Sequence, residues 1–242
     1  MIKIKVKPKV DNYELARLLG GSRSSRFSSS TKIKIGDMER ILIDRMEPSI
    51  YYLIRQIDSI NKGSVHLQGG PVFKSTKLSK TMKQCGEVIC FIATLGNGVD
   101  NEIKDLMDEN RLSEAYVLDA MGSVAVENMV ESFHKRESAK YKGESKAITL
   151  PFSPGYCDWP LRDQKKLFNL FNSFQLNVKL TDSCLMKPRK SISGVFGVTP
   201  LHPHIPFHPY NPCTEFLIKI FTGKSIGSKM KIALERDNGN LE

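Results

Sequence analysis

The sequence predicts an α+β fold, because strand-like and helix-like segments are mixed without the regular strand-helix-strand rhythm of a parallel sheet. The run VICFIATLG at 88–96 is short, β-branched and apolar, which is typical of a strand buried on both faces. Residues 113–136 carry apolar side chains at helical spacing and predict the longest helix. Further extended segments are predicted at 148–156, 176–180 and 192–198.

The N-terminal part predicts a strand followed by two helices. Residues 2–7 alternate Ile or Val with Lys, which indicates a strand with its apolar side chains toward a core, at an edge where lysines discourage mispairing. Residues 12–19 predict a short helix that stops at a glycine pair. The Ser-rich run at 22–32 predicts a loop. Residues 37–56 have helical spacing, with a kink or break at Pro48.

The buried strand at 88–96 runs into a glycine turn, and a helical pattern begins at Val99. A glycine turn before a helix can cradle a phosphate, because the first N–H groups of the helix are unpaired. The residues LGNG at 95–98 match neither of the usual nucleotide-binding patterns. The sequence therefore favours a simple tight connection.

The long helix carries two acidic residues beside its apolar stripe. Glu127 and Glu131 are four residues apart and so lie on one face. Surface carboxylates are the default interpretation, and the alternative is that they border a pocket and receive an ammonium or hydroxyl group. The polar stretch 135–146 predicts a loop after this helix. The apolar stripe consists of Leu118, Gly122, Ala125, Met129 and Phe133.

The extended segment ITLPFSPGY ends in a predicted turn. Pro154 and Gly155 suit the two central positions of a type II turn, where the second residue needs a positive φ. Asp158 is expected to cap the next helix, with Pro160 near its first turn.

Composition bounds the class of protein. A chain of 242 residues with 40% hydrophobic content can form one large domain or two small ones, and we expect a single domain over 1–242. No apolar stretch reaches the ~18 residues that a membrane span needs, and the first ten residues lack the apolar block of a signal peptide, so we expect a cytoplasmic protein. Five cysteines without a CxxC pair are expected to be reduced.

The formal charge of +10 favours an acidic partner. The basic residues are scattered, and no stacking motif of single-strand binders is interleaved with them, so a nucleic acid is an unlikely partner.

Five prolines recur at every third position from 200 to 213 and predict an extended polyproline II arm, which is followed by a basic C-terminal segment. Three histidines and a cysteine of this arm resemble a metal ligand set, but the threefold geometry separates His204 from the other two histidines. We therefore expect no metal site, since ligands must converge on one point. The residues concerned are His202, His204, His208 and Cys213.

Between Cys85 and Gly197 the chain resembles the activation domain of cobalamin-dependent methionine synthase, especially its stand-alone forms. The resemblance implies a single domain with a twisted, mainly antiparallel sheet and flanking helices. It rests on several landmarks in the right order: ATLG at 93–96, LDAMG at 118–122, FSPGYCDWP at 152–160, LTDSCLM at 180–186 and PRKSISG at 188–194.

The resemblance also implies a function. Domains of this family bind S-adenosylmethionine and present its methyl group to a cobalamin that is held by methionine synthase or a related corrinoid protein. The cobalt of this cobalamin has been oxidised to the inactive Co(II) state, and a flavodoxin-like donor supplies an electron. Because such transfer depends on holding sulfonium and cobalt in line, we name no catalytic acid, base or nucleophile. By resemblance the ligand would bind at the motif that contains Gly155, and Tyr156 would lie near the corrin or the ligand. The backbone of Phe152 and Ser153 would contact the adenine. Glu131 or Glu127 would approach the amino end of the ligand.

One position departs from the family pattern. The motif arginine, which falls four residues before Gly155, is replaced by Pro151. Proline cannot form the charge-assisted fork that binds a carboxylate, so affinity should fall at least about 10- to 100-fold unless another cation, such as Arg162 or Lys146, substitutes. Two hypotheses follow: an S-adenosylmethionine-binding reactivation protein, or a non-catalytic partner of a corrinoid protein that has lost the methyl donor.

Overall fold

A computed structural model describes residues 1–20 and 27–201. It confirms the predicted α+β class, and within those residues it has nine strands and six helices. The strands are β1 (Ile2–Ile4), β2 (Ser49–Asn61), β3 (Ser64–Leu67), β4 (Val72–Lys74), β5 (Glu87–Thr94), β6 (Lys146–Ile148), β7 (Lys179–Leu180), β8 (Met186–Lys187) and β9 (Ser191–Pro200). The helices are α1 (Asn12–Leu18), α2 (Ser29–Arg45), α3 (Thr76–Thr81), α4 (Asn97–Asp108), α5 (Leu112–Gly143) and α6 (Asp163–Asn169).

Seven of these strands form one antiparallel sheet. Its order is β4-β3-β2-β5-β9-β6, with β1 paired to β2 alone, and β7 and β8 form a separate two-stranded ribbon. The central strand β5 pairs antiparallel with β2 on one side and with β9 on the other along its full length. The prediction of an edge strand at the N-terminus is confirmed, although β1 is shorter than expected and Ile2 is exposed rather than turned to the core.

Two apolar cores cover the two faces of the sheet. Along β5, Ile89 and Phe91 face a core shared with α1, α2, α4 and α5. Their neighbours Cys90 and Ile92 face a second core shared with α3 and α6. Because successive side chains of a strand point to opposite faces, a strand covered on both sides must be apolar throughout. This is the physical reason for the uninterrupted run at 88–96.

The predicted helix at 37–56 is wrong in its second half. Helix α2 ends at Arg45, and β2 begins immediately after Pro48 and runs from Ser49 to Asn61. Full backbone pairing with β5 overrides the apparent helical spacing, and the aromatic and β-branched residues after Pro48 fit a sheet buried on both faces. At its other end α2 begins at Ser29, so the predicted Ser-rich loop is also wrong over 29–32.

Helix α5 is longer than predicted, since it continues through Gly143 where a loop was expected. The added turns contain two buried side chains, Glu137 and Tyr141, which attach this part of the helix to the rest of the domain. The apolar stripe from Leu118 to Phe133 is buried as predicted.

The prediction that Asp158 caps the helix that follows it is wrong. Its carboxylate accepts hydrogen bonds from the Ser75 hydroxyl at 2.5 Å, the Thr76 amide at 2.7 Å and the Lys77 amide at 3.2 Å, and so caps α3 from a distance in sequence. Burial acts to raise the pKa of Asp158, but these hydrogen bonds outweigh it and hold the pKa below its usual range.

Asp158→Ala is therefore expected to lower the free energy of unfolding by about 1–2 kcal/mol, the range for removal of a helix cap. A depressed native pKa gives stability that is present at neutral pH and lost as pH falls through that pKa, so the gap between the two proteins should close in acid. Urea unfolding at pH 7 and pH 3 measures both effects. Asp182→Ala is the matched control and should change stability little, because Asp182 is exposed and forms no hydrogen bond or ion pair with the described residues. Equal losses in both variants would contradict the capping role.

Pro200, with which the predicted polyproline arm begins, is the last residue of β9. The rest of that arm from 202 onward, its histidines and the basic C-terminal segment lie outside the described residues, as do residues 21–26. Of the helices within 1–20 and 27–201, none is both long enough and apolar enough to span a bilayer.

Candidate functional site

The segment after β6 runs beside the outer edge of β9. Thr149 donates its amide to the Gly197 carbonyl at 2.9 Å, and Phe152 exchanges two backbone hydrogen bonds of 2.9 Å with Val195. A side chain at Gly194 would place its Cβ 2.8 Å from Ser153 Oγ and 3.0 Å from the Phe152 carbonyl. Only glycine there lets the segment lie this close to the strand.

The predicted type II turn is present. Gly155 has φ +95°, and Tyr156 donates its amide to the Ser153 carbonyl at 3.3 Å. A second backbone bond joins the Gly155 amide to the Trp159 carbonyl at 2.9 Å, and Trp159 is fully buried. The buried tryptophan thus anchors the turn, while Tyr156 itself remains 57% exposed at the surface.

A cavity of about 870 Å³ opens between this segment and α5. Its size lies within the range of small-molecule sites, and its lining is mainly apolar with a few polar groups. The wall is formed by several parts of the chain: Phe91 of β5, Glu127 and Val130 of α5, residues 150–154 with Tyr156 and Leu161, Gln164 of α6, and residues 184–193 around β8 and the start of β9 except Pro188 and Lys190.

Four of the six residues predicted for the site, namely Glu127, Phe152, Ser153 and Tyr156, line this cavity. Gly155 lies in the turn between two lining residues and supplies its positive φ. Glu131 does not line this cavity. It lies on a neighbouring one of about 670 Å³ and forms an ion pair of 2.7 Å with Lys135.

Glu127 borders both cavities. The side chain of Glu127 is exposed to solvent, yet neighbouring protein atoms partly desolvate its carboxylate. Burial consequently raises the pKa of Glu127 above the ordinary value of 4.5. A carboxylate in this position gains from an incoming cation, because the cation offsets the lost hydration.

Two cations, Lys187 and Arg189, also line the larger cavity. The amide of Arg189 donates to Asp100 Oδ2 at 2.5 Å, which fixes the turn to the first turn of α4. Its guanidinium lies 3.6 Å from the carboxylate of Asp119 and is largely exposed. Lys187 has no ion pair within the part of the chain that the structure describes.

Lys190 has a structural role instead. Its stem packs on Gly122, and its ammonium donates to Ser123 Oγ at 2.9 Å and pairs with Asp119 at 2.8 Å. The side chain is 7% exposed. It thereby joins the β9 turn to α5 across the motif LDAMG and holds two walls of the cavity together.

Pro151 lines the cavity at the place where the family motif has arginine. It falls between Thr149 and Phe152, which make the backbone bonds to β9, so its missing N–H leaves no gap in the pairing. Neither cation that sequence proximity offered lines the cavity: Arg162 is absent from the wall, and Lys146 pairs with Glu87 at 3.6 Å.

Sequence reasoning missed Gln164, Lys187, Arg189 and Leu185 as parts of this wall. The last three adjoin or fall within the landmarks at 180–186 and 188–194, so the motif was the available signal. No sequence signal identifies Gln164, because its place depends on how α6 packs. Within the described residues no cluster of metal-ligating side chains occurs, and the cysteines at 85, 90 and 184 are free thiols.

Comparison with known proteins gives a family and a fold. The family profile described as "Vitamin B12 dependent methionine synthase, activation domain" matches residues 78–203. A search of curated proteins finds no significant match. Among 13 similar solved chains, a crystal structure of the MetH reactivation domain bound to AdoHcy has a TM-score of 0.59 and 12% identity, and the match covers 93% of this chain and 86% of that chain. At this identity the likeness shows the fold.

Proposed function

The chain belongs to the activation-domain family of vitamin B12 dependent methionine synthase, and from this premise we propose that it binds S-adenosylmethionine in the cavity beside the Pro-Gly-Tyr turn and supports reductive methylation of a corrinoid on a partner protein. One observation carries the proposal. The turn and the acidic helix α5, which are distant in sequence, line one open cavity of ligand size. The AdoHcy (S-adenosylhomocysteine) bound to the similar MetH domain supports the choice of ligand.

The reaction needs an electron and a methyl group. A one-electron donor of the flavodoxin type reduces Co(II) to Co(I). The electron pair of Co(I) then forms a bond to the methyl carbon, the S–C bond breaks, and its electron pair stays on sulfur, so that S-adenosylhomocysteine leaves. The chain itself contributes position: it holds the sulfonium at the cavity mouth, and orientation of this kind can supply several kcal/mol of the barrier, ~7 or more in favourable cases. No proton has to be moved, so no general acid or base is assigned.

The charged residues of the lining match the ammonium and carboxylate groups that the ligand carries on one carbon. Glu127 receives the ammonium group of the ligand, since its carboxylate is partly desolvated and lacks an ion pair among the described residues. Lys187 and Arg189 receive the carboxylate in place of the arginine lost at Pro151. The stand-alone action of residues 1–242 as one unit is part of the same proposal.

The mouth of the cavity is apolar and exposed. Tyr156, Leu161 and Leu185 line the cavity and are 57%, 45% and 62% exposed. Exposed apolar groups that surround a ligand site mark a surface covered by a partner. We assign this rim to the corrin-bearing face of the partner protein.

Pro151 favours a second candidate, a corrinoid-protein partner that binds no methyl donor. The two candidates differ in one measurable property, which is affinity for S-adenosyl ligands.

Calorimetric titration with S-adenosylhomocysteine at pH 7.5 is expected to show binding by the natural protein, and Glu127→Gln should weaken it by about tenfold because a charge-assisted hydrogen bond is lost. Burial raises the pKa of Glu127, so affinity of the natural protein should fall as acidification protonates this carboxylate and removes the negative charge that faces the ammonium. The variant should lack this pH dependence.

Glu131→Gln is the matched control, because Glu131 lies one helical turn away, is outside the cavity and pairs with Lys135. Its affinity should stay within about twofold of the natural protein's, a difference below the energy of one hydrogen bond. Absence of any binding by the natural protein would overturn the methyl-donor proposal and favour the second candidate.

A further inference from the structure

Gln164 is a buried polar residue in the wall of the cavity. It lies in the first turn of α6, is 4% exposed, and donates from Nε2 to Ser193 Oγ at 3.1 Å. Ser193 belongs to β9 and also lines the cavity. The carboxamide is therefore fixed at one end by the sheet.

The other end of the carboxamide lacks a partner. Gln164 Oε1 is shielded from solvent and accepts no hydrogen bond from any of the residues that the structure describes. Buried polar atoms are nearly always paired, because an unmet acceptor loses its hydration without compensation. An orphaned acceptor on the wall of a ligand-sized cavity indicates a donor that arrives with the ligand.

Gln164 lines the cavity, although its Oε1 is shielded in this structure. The last torsion of glutamine is broad, so a small rotation of the carboxamide presents Oε1 to the cavity without leaving a favoured rotamer. The neighbouring wall is formed by Phe152, Leu161 and the hydroxyls of Ser153 and Ser193. A flat apolar ring with one polar edge fits these surroundings better than a charged group does.

We propose that Gln164 Oε1 accepts a hydrogen bond from the exocyclic amino group of adenine and so selects an adenine nucleoside over its 6-oxo counterpart. The inference rests on the proposed function, in which the same cavity holds an S-adenosyl ligand. The ammonium at the other end of the ligand is met by Glu127, which leaves the adenine amino group as the remaining nitrogen donor. The 6-oxo group of hypoxanthine is an acceptor and would face the glutamine oxygen unfavourably.

The test compares S-adenosylhomocysteine with S-inosylhomocysteine, in which a 6-oxo group replaces the amino group and N1 carries a proton. The natural protein should bind the adenine ligand at least about tenfold more tightly, the usual effect of one hydrogen bond plus an unpaired acceptor. Gln164→Leu should lose this preference and bind the two ligands within about twofold of each other. Gln164→Glu keeps an acceptor toward the ligand and should retain a preference for adenine.

The outcomes separate the two claims. Equal binding of both ligands by the natural protein, or an unchanged preference in Gln164→Leu, would overturn the role of Gln164 and leave the proposed function standing. Binding of neither ligand would overturn the proposed function and this inference together. Thermal unfolding of Gln164→Leu checks the fold, which should persist because removal of the unsatisfied Oε1 offsets the loss of the hydrogen bond from Nε2 to Ser193 Oγ.

Discussion

Replacement of both Lys187 and Arg189 by alanine is expected to weaken S-adenosylhomocysteine binding by about 100-fold. Each charge-assisted hydrogen bond to a carboxylate contributes roughly 1.5–3 kcal/mol, and tenfold in affinity corresponds to about 1.4 kcal/mol. These two side chains are the cations on the cavity wall within the described residues. Their loss leaves the ligand carboxylate facing Pro151, which has no donor to offer.

The control must remove the same charge elsewhere. Lys146→Ala with Arg162→Ala lowers the net charge by the same two units, but neither residue lines the cavity. Affinity should then stay within about twofold, because exposed charges at a distance are screened by salt. Equal losses in the two double variants would show that only the overall positive charge attracts the ligand.

Restoring the motif arginine at position 151 is expected to reverse the loss of affinity. Pro151→Arg returns the arginine that the family pattern has, on the same cavity wall. In the background that lacks Lys187 and Arg189, it should recover most of the lost affinity. If Pro151→Arg strengthens binding equally in both backgrounds, then Lys187 and Arg189 do not substitute for the arginine.

Sequence reasoning succeeded where one element decides the pattern. The run at 88–96 could be assigned because burial on both faces leaves no polar position in β5. The turn at Pro154 and Gly155 was predictable because its φ requirement is local. The landmarks gave the family, and with it four residues that share the cavity wall.

It failed where a distant partner decides the outcome. The residues after Pro48 have helical spacing, and pairing with the distant strand β5 and with β1 and β3 makes them a strand. Asp158 resembles a local cap but bonds to α3, more than eighty positions earlier in the chain. Gln164 enters the site because α6 packs on β9, and nothing in its neighbouring residues indicates this contact.

Gly98→Ala is expected to lower the free energy of unfolding by about 3 kcal/mol, at the upper end of typical overpacking losses. A Cβ at this position would lie 2.2 Å from the carbonyl oxygen of Arg45 and 3.1 Å from its carbonyl carbon. The obstacle is backbone at the C-terminal end of α2, so it cannot move aside as a flexible side chain would. The helices α2 and α4 would have to separate.

Gly36→Ala in α2 supplies the opposite expectation. Apart from the backbone of its own helix, a Cβ there meets no atom of the described residues within 4 Å, and alanine is the better helix former, so stability should rise by about 0.5–1 kcal/mol. The midpoint of urea unfolding measures both variants, and a Gly98→Ala protein as stable as the Gly36→Ala protein would contradict the close approach of α2 and α4.

Gly98→Ala should also affect the candidate site, because Asp100 in the first turn of α4 accepts a hydrogen bond from the Arg189 amide. Separation of the two helices should therefore loosen the turn that carries Lys187 and Arg189, and Gly98→Ala should weaken S-adenosylhomocysteine binding even at temperatures where the variant remains folded.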